Sequence, residues 1–151
     1  MATATLAHDY MTAMATAIRT AITAADPSGR VLVEYGYPDQ RAADAILIIE
    51  LDAEQNYATL GTNRTREEVI ALQIHFCSWR SDQAQANDAA FDLLKLVERH
   101  CRMTDPTLGG VMREVVVTRI QSRGYTYEGD LTKGRGCEVI ATFTGKQRVS
   151  A

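Results

Sequence analysis

The hydrophobic period of this chain changes twice between Val69 and Val117, and few folds accommodate that. Ile70, Leu72, Ile74 and Phe76 form an unbroken apolar face, while Ala71, Gln73, His75 and Cys77 form a mixed one; alternation of this kind marks a half-buried strand. Beyond Trp79 the period lengthens. Ala86, Ala90, Leu93, Leu94, Val97 and Cys101 fall on one helical stripe, Ser81 or Asp82 can cap it, and Gln85 stands three residues after Asp82 as a capping box requires. The turn Thr104-Asp105-Pro106-Thr107-Leu108-Gly109-Gly110 then stops the helix, because Pro106 cannot extend it and the Gly109-Gly110 pair lets the backbone reverse. Val111 to Ile120, with its Val115-Val116-Val117 core, returns to a strand. Strand, helix and strand in this order require a sheet with the helix packed on one face.

The flanks extend the same plan. Leu6, Tyr10, Met14, Ala17, Ile18, Ala21 and Ile22 recur at helical spacing over Leu6 to Ala24, and Asp26-Pro27-Ser28-Gly29 ends that helix. Val31, Val33, Tyr35 and Tyr37 alternate as in a half-buried strand, whereas Ala45 to Leu51 is apolar on both faces and suits a central one. Residues 52–66 read as a long polar loop with two isolated apolar side chains, Tyr57 and Leu60, either a disordered surface excursion or an arm that touches a neighbour. A Gly-rich connection over about 122–136 leads to a last strand in which Cys137, Val139, Ala141 and Phe143 alternate with polar residues, so these two strands should form a long hairpin. Its tip carries Tyr125, Tyr127, Glu128, Asp130, Lys133 and Arg135, rigid aromatics mixed with charges that suit either a contact with another subunit or a solvated surface. The residues from Lys146 onward read as a frayed tail. The expected fold is α+β: a single domain over residues 1–151, with a mixed or antiparallel sheet of about five strands and two main helices packed on it, in the order α-β-β-β-α-β-β.

Length and charge narrow the function. At 151 residues the chain has the size of one domain with a real core. Its longest apolar run, Ala45 to Ile49, is far short of a membrane span, and the N-terminus lacks the pattern of a signal peptide, so a soluble protein made inside the cell is expected. Three cysteines at spacings of 24 and 36 residues do not make a disulfide framework. The net charge is −3 and basic residues are scattered among acids, which argues against a protein that grips nucleic acid, since such binding depends on clustered cations.

No set of residues converges on catalysis. His75 and Cys77 share a strand face and His100 and Cys101 end a helix, but adjacent helical positions point about 100° apart, so four zinc ligands are poorly placed. Cys77 has no helix N-terminus or fixed cation to favour a thiolate. The Gly109-Gly110 pair lacks the surrounding pattern of a phosphate loop. Glu67 and Glu68 point to opposite faces of their strand, one as a buried or interface partner and one solvated, with Arg64 or Arg66 as the expected mate. Trp79, the only tryptophan, is expected to close a core. No catalytic, metal or cofactor site is assigned.

The segment Val33-Glu34-Tyr35-Gly36-Tyr37-Pro38, then RTREEVIALQIHFCSW, the Ala-rich helix ending LLKLVERHC and DPTLGGVMREVVVTRI together resemble, in that order, the tail terminator proteins of long-tailed bacteriophages. Asp39 departs from the glycine usual in that family after the Tyr-Pro position. The resemblance implies a non-enzymatic virion protein without cofactors: a homohexameric ring at the tail-neck junction that caps the head-proximal end of the tail tube and ends its polymerisation. It implies as partners a second copy of itself, the major tail tube protein and a head-tail connector or stopper, with double-stranded DNA passing through unbound and no membrane. Globules of this length are about 38 Å across, so six around a ring leave a hole of roughly 38 Å, wider than a duplex of about 20 Å, and three leave almost none. By position in the chain, Tyr57, Leu60, Arg64, Arg66, Glu67, Tyr125, Tyr127, Asp130, Lys133 and Arg135 are the expected interface residues, and Asp105, Pro106, Gly109 and Gly110 the structural turn. Two alternatives carry different expectations: another neck component such as a stopper or adaptor, or a small cytoplasmic ligand-binding or enzymatic α+β domain with a deep polar pocket.

Overall fold

In a computed structural model, which describes residues 4–38, 42–57, 65–126 and 133–150, the two period changes become a five-stranded mixed sheet with both helices on one face. The elements run α1 (Ala7–Ala25), β1 (Val31–Tyr35), β2 (Asp44–Tyr57), β3 (Thr65–Arg80), α2 (Gln83–Arg99), β4 (Glu114–Tyr125) and β5 (Arg135–Ser150). Across the sheet the order is β1-β2-β3-β5-β4. β1 lies parallel to β2, and every other neighbouring pair is antiparallel. The last strand thus slots between β3 and β4, and α2 carries the chain across the position that β5 fills.

The alternation along β3 decides which face the helices cover. Ile70, Leu72, Ile74 and Phe76 are fully buried beneath them, beside Val139, Ala141 and Phe143 of β5 and Ile46 and Ile48 of β2. From above, α1 contributes Tyr10, Met14, Ile18 and Ile22, and α2 contributes Ala86, Ala90, Leu93, Leu94 and Val97. The small residues of α2 let it approach the sheet closely. Asp82 accepts the Gln85 amide hydrogen bond at 2.8 Å, so it and not Ser81 caps the helix. Tyr10 crosses the core to donate its hydroxyl to the Phe143 carbonyl at 2.8 Å, which satisfies a phenol that would otherwise be buried unpaired.

Four expectations need correction. The polar stretch after Leu51 is not a loop from 52 to 66: β2 continues to Tyr57, with Asp52 through Tyr57 pairing with Ala71 back through Arg66. Polar side chains are no obstacle there, because the ladder satisfies the backbone and both faces of the extension meet solvent. In the same way β4 runs to Tyr125 and β5 starts at Arg135, which shortens the expected 122–136 connection. The tail is not frayed, since Lys146 to Ser150 pair with Val69 back to Thr65, Val149 is buried, and Gln147 donates to the Val111 carbonyl. Finally, β1 stops at Tyr35, before Tyr37, because Gly36 turns away with φ of +70° while its amide still bonds the Ile48 carbonyl.

Candidate functional site

The turn at 104–110 is built as its composition demands, with one addition. After α2 the chain makes a π-helical turn over His100–Thr104. Asp105 then accepts from the Gly109 amide at 2.8 Å and Thr107 from the Gly110 amide at 3.1 Å, with both glycines at positive φ. Leu108 also takes a positive φ, +50°, which is unfavourable for a side chain of its kind. Its burial offsets that cost, because the side chain plugs the core where α2 meets β4.

Of the expected interface residues, Leu60, Arg64, Tyr127 and Asp130 lie outside the described residues, and Tyr57 ends β2. The others fall into two groups at opposite ends of the sheet. Arg66 and Glu67 begin β3, whereas Tyr125, Lys133 and Arg135 surround the start of β5. Thirteen residue steps along β3 separate Arg66 from Trp79 at the far end, about 43 Å at strand rise. Glu67 accepts from Arg113 at 3.0 Å, a cation from the segment that leads into β4 and 46 residues further along the chain, where a neighbouring arginine was expected; Arg64 lies outside the described residues. Trp79 neither sits in the core nor stands free. It is half-buried, donates its indole N–H to the Lys133 carbonyl at 2.8 Å and packs on Tyr125 with ring centroids 5.5 Å apart, fastening the base of the β4–β5 hairpin. Gly134 and Gly136 make room for that arrangement. A Cβ on the first would lie 2.6 Å from the Arg80 carbonyl oxygen, and one on the second would enter the Tyr125 ring.

Glu68 has a role that the sequence did not reveal. Only 1% exposed, it accepts from the Thr5 hydroxyl and the Leu6 amide at 2.6 Å each and from Gln55 at 2.7 Å. A strand carboxylate thereby caps the N-terminus of α1, where exposed amides and the helix dipole favour negative charge. Capping from 62 residues away leaves no local sequence signal.

On the sheet face away from the helices, His75, Glu138 and Arg123 lie on three neighbouring strands. His75 Nδ1 is 2.5 Å from one Glu138 oxygen, and Arg123 contacts the other at 2.6 and 2.7 Å. Tyr37, from the segment after β1, sets its ring edge against His75, and a shallow cleft of about 600 Å³ beside them is lined by Tyr37, Leu47, Cys77, Arg123, Tyr125 and Glu138 among others. Burial, followed by the nearby Glu138 carboxylate, pushes the Cys77 thiol up to about 12, so it stays protonated and a poor nucleophile at neutral pH. Cys101 lies in the helix layer beside Met14, with the sheet between it and the His75–Cys77 pair, so these residues do not converge on a metal. Among the described residues no group of three or more His, Cys, Asp or Glu side chains is placed to hold one. The cleft is open, and its one arginine is already engaged by a glutamate; the arrangement braces three strands.

Among the described residues no helix is long and apolar enough to cross a membrane. No protein-family model matches the chain, and no curated protein does. Among solved structures, the chain is similar to one from the virion of a native gene transfer agent particle, at 13% identity and a TM-score of 0.51, covering 91% of this chain and 94% of that one. At this identity the likeness establishes a shared fold.

Proposed function

We propose that this chain is a structural protein of a phage-like virion, and more narrowly a tail terminator. Copies assemble into a six-membered ring on the head-proximal end of the tail tube, end tube polymerisation, and join the tail to the neck while leaving a channel for DNA. The observation that carries the reading is the end-to-end likeness to a virion chain, which leaves little of either chain outside the common fold. The segments that resemble the terminator family narrow it: three of them make up the β3–α2–turn–β4 unit, and Val33 to Pro38 runs from β1 into the segment that follows it.

The layout of the molecule suits the role. Strands of 14 and 16 residues make β2, β3 and β5 long rods, and the candidate contact groups stand at the two ends of those rods. If the strands run roughly along the ring axis, one group meets the tube and the other the neck, while the sheet edges remain for lateral neighbours. Such head-to-tail contacts close a ring without a two-fold patch. A net charge of −3 on every copy disfavours tight adhesion of DNA in the centre.

Light scattering on the purified chain, alone and mixed with tube protein, tests the ring: the expected mass is close to six times 16.6 kDa. Electron microscopy of particles carrying a labelled copy tests the position. Label on the tube end of the neck supports a terminator, and label at the head portal replaces that reading with a stopper or adaptor. A monomer under every condition removes the ring.

A further inference from the structure

The sheet has two unpaired edges of opposite character. One is β4, a twelve-residue strand that pairs with β5 on one side only and is exposed over most of its length. Val116 and Ile120 on it are 46% and 48% exposed. A long edge with apolar side chains is a template for another strand, and proteins that keep such edges solvated normally shorten or heavily charge them. The opposite edge is shorter at first sight, because β1 has five residues. But β1 pairs only with Asp44 to Ile48, and β2 runs nine residues further. That projecting half, from Ile49 to Tyr57, pairs with β3 on one side and, among the described residues, has no strand on the other.

Their charges are complementary. Glu50, Asp52 and Glu54 stand on the projecting half of β2, exposed, all on the sheet face away from the helices, and among the described residues none of them makes an ion pair. On the same face, β4 carries Arg119, exposed and without an ion pair among the described residues, and Arg123, whose guanidinium reaches Glu138 but stays largely exposed. Arg113, just before β4, adds a third cation, already shared with Glu67. Directions agree as well. β3 is antiparallel to β2 and to β5, and β5 to β4, so β4 runs opposite to β2. Copies related by rotation about an axis near the strand direction would therefore bring β4 and β2 together as an antiparallel pair. The heights agree too, because Arg119, Thr142, Gln73 and Glu50 lie in one row across the sheet.

We propose that β4 of one copy pairs with the projecting half of β2 of a second copy, so that the sheet continues from subunit to subunit with Arg119 set against the acidic row. The inference rests on the ring reading and specifies its lateral contact. At the level of the junction each copy contributes four strands, β2, β3, β5 and β4. At about 4.8 Å per strand, six copies give a wall roughly 115 Å around and about 37 Å across, which leaves room for a duplex after side chains are allowed for. The β-bulge between Val117 and Arg119 divides the β4 edge, so pairing is expected to run in two short segments on either side of it.

Charge reversal tests this with exposed residues whose replacement leaves the core intact. Arg119→Glu alone, or Glu50→Arg with Asp52→Arg, should weaken self-association by roughly tenfold or more, because like charges then face each other across the junction. The triple variant that carries both changes should recover it. Mass by light scattering over a concentration series is the readout, with the thermal midpoint of each variant as the folding control. Rings that form in the parent and are indifferent to both reversals overturn the strand pairing while leaving the ring reading in place. Reversals that weaken association without rescue in the triple variant also overturn it. A parent chain that stays monomeric at all concentrations and with tube protein overturns both.

Discussion

Replacing Glu68 is the sharpest test of how α1 is held to the sheet. Its carboxylate accepts three hydrogen bonds at 2.6 to 2.7 Å, two of them from Thr5 and Leu6 at the helix start. Hydrogen bonds to a charged group contribute about 1.5–3 kcal/mol each, and an N-cap about 1 kcal/mol. The simple sum overstates the loss, since truncation also removes the cost of burying the charge and lets the exposed Leu6 amide and Thr5 hydroxyl regain water. The net expectation for Glu68→Ala is about 3 kcal/mol, and for Glu68→Gln, which keeps one oxygen acceptor, about half that. With a urea slope of about 2 kcal/mol per molar, the midpoint should fall by roughly 1.5 M for the alanine variant. Amide exchange should quicken across the first turn of α1 before it does so in β3. An alanine variant within 0.3 M of the parent, or one whose α1 amides exchange no faster, would refute the capping argument.

Tyr10→Phe removes the hydroxyl that bonds the Phe143 carbonyl and leaves the ring in place, so urea denaturation should register a loss of about 1 kcal/mol. Gly134→Ala combines a φ of +94° with a contact of 2.6 Å to the Arg80 carbonyl oxygen; a loss of about 2 kcal/mol is expected, with a change in Trp79 fluorescence as its local signature. Burial, then Asp105 and Glu98, push the Cys101 thiol up to about 12, above its ordinary value near 9. The folded state then holds a proton that the unfolded chain releases, so this contribution to stability is complete below pH 9 and is lost as pH rises toward 12, by about 1.4 kcal/mol per pH unit at most. Denaturation series at pH 8 and pH 10 should show the decline, and Cys101→Ala should reduce it without abolishing it, because the Cys77 thiol is raised in the same way and contributes the remainder.

The sequence was legible where burial follows a period. The six-residue stripe on α2, the alternation on β3 and β5, and the Pro-Gly turns all lie where local pattern and tertiary environment agree. It misled where polar residues extend a strand, at Asp52–Tyr57 and at Lys146–Ser150, because a ladder satisfies the backbone whatever the side chains are, and a neighbouring strand is invisible in a local window. The contacts made by Glu68 with Leu6, Arg113 with Glu67, and Arg123 and His75 with Glu138 all bridge distant segments, so no spacing rule announces them. Leu108 is a third kind of miss. Its left-handed backbone is a glycine position by local rules, and only its burial in the core cluster accounts for a leucine there.

The central place of β5 has a consequence for how this chain reaches its native state. Every pairing between β3 and β5 awaits a strand that comes after α2 and β4 in the chain, with Thr65 meeting Ser150 and Arg80 meeting Arg135. Until then the β2–β3 hairpin presents Ile70, Leu72, Ile74 and Phe76 beside an open row of amides and carbonyls, a sticky intermediate for as long as β5 has not left the ribosome. Folding should therefore be slow for a protein of this size, limited by a closure over long sequence separations, and losses during expression should come from trapped nascent chains more than from the finished molecule.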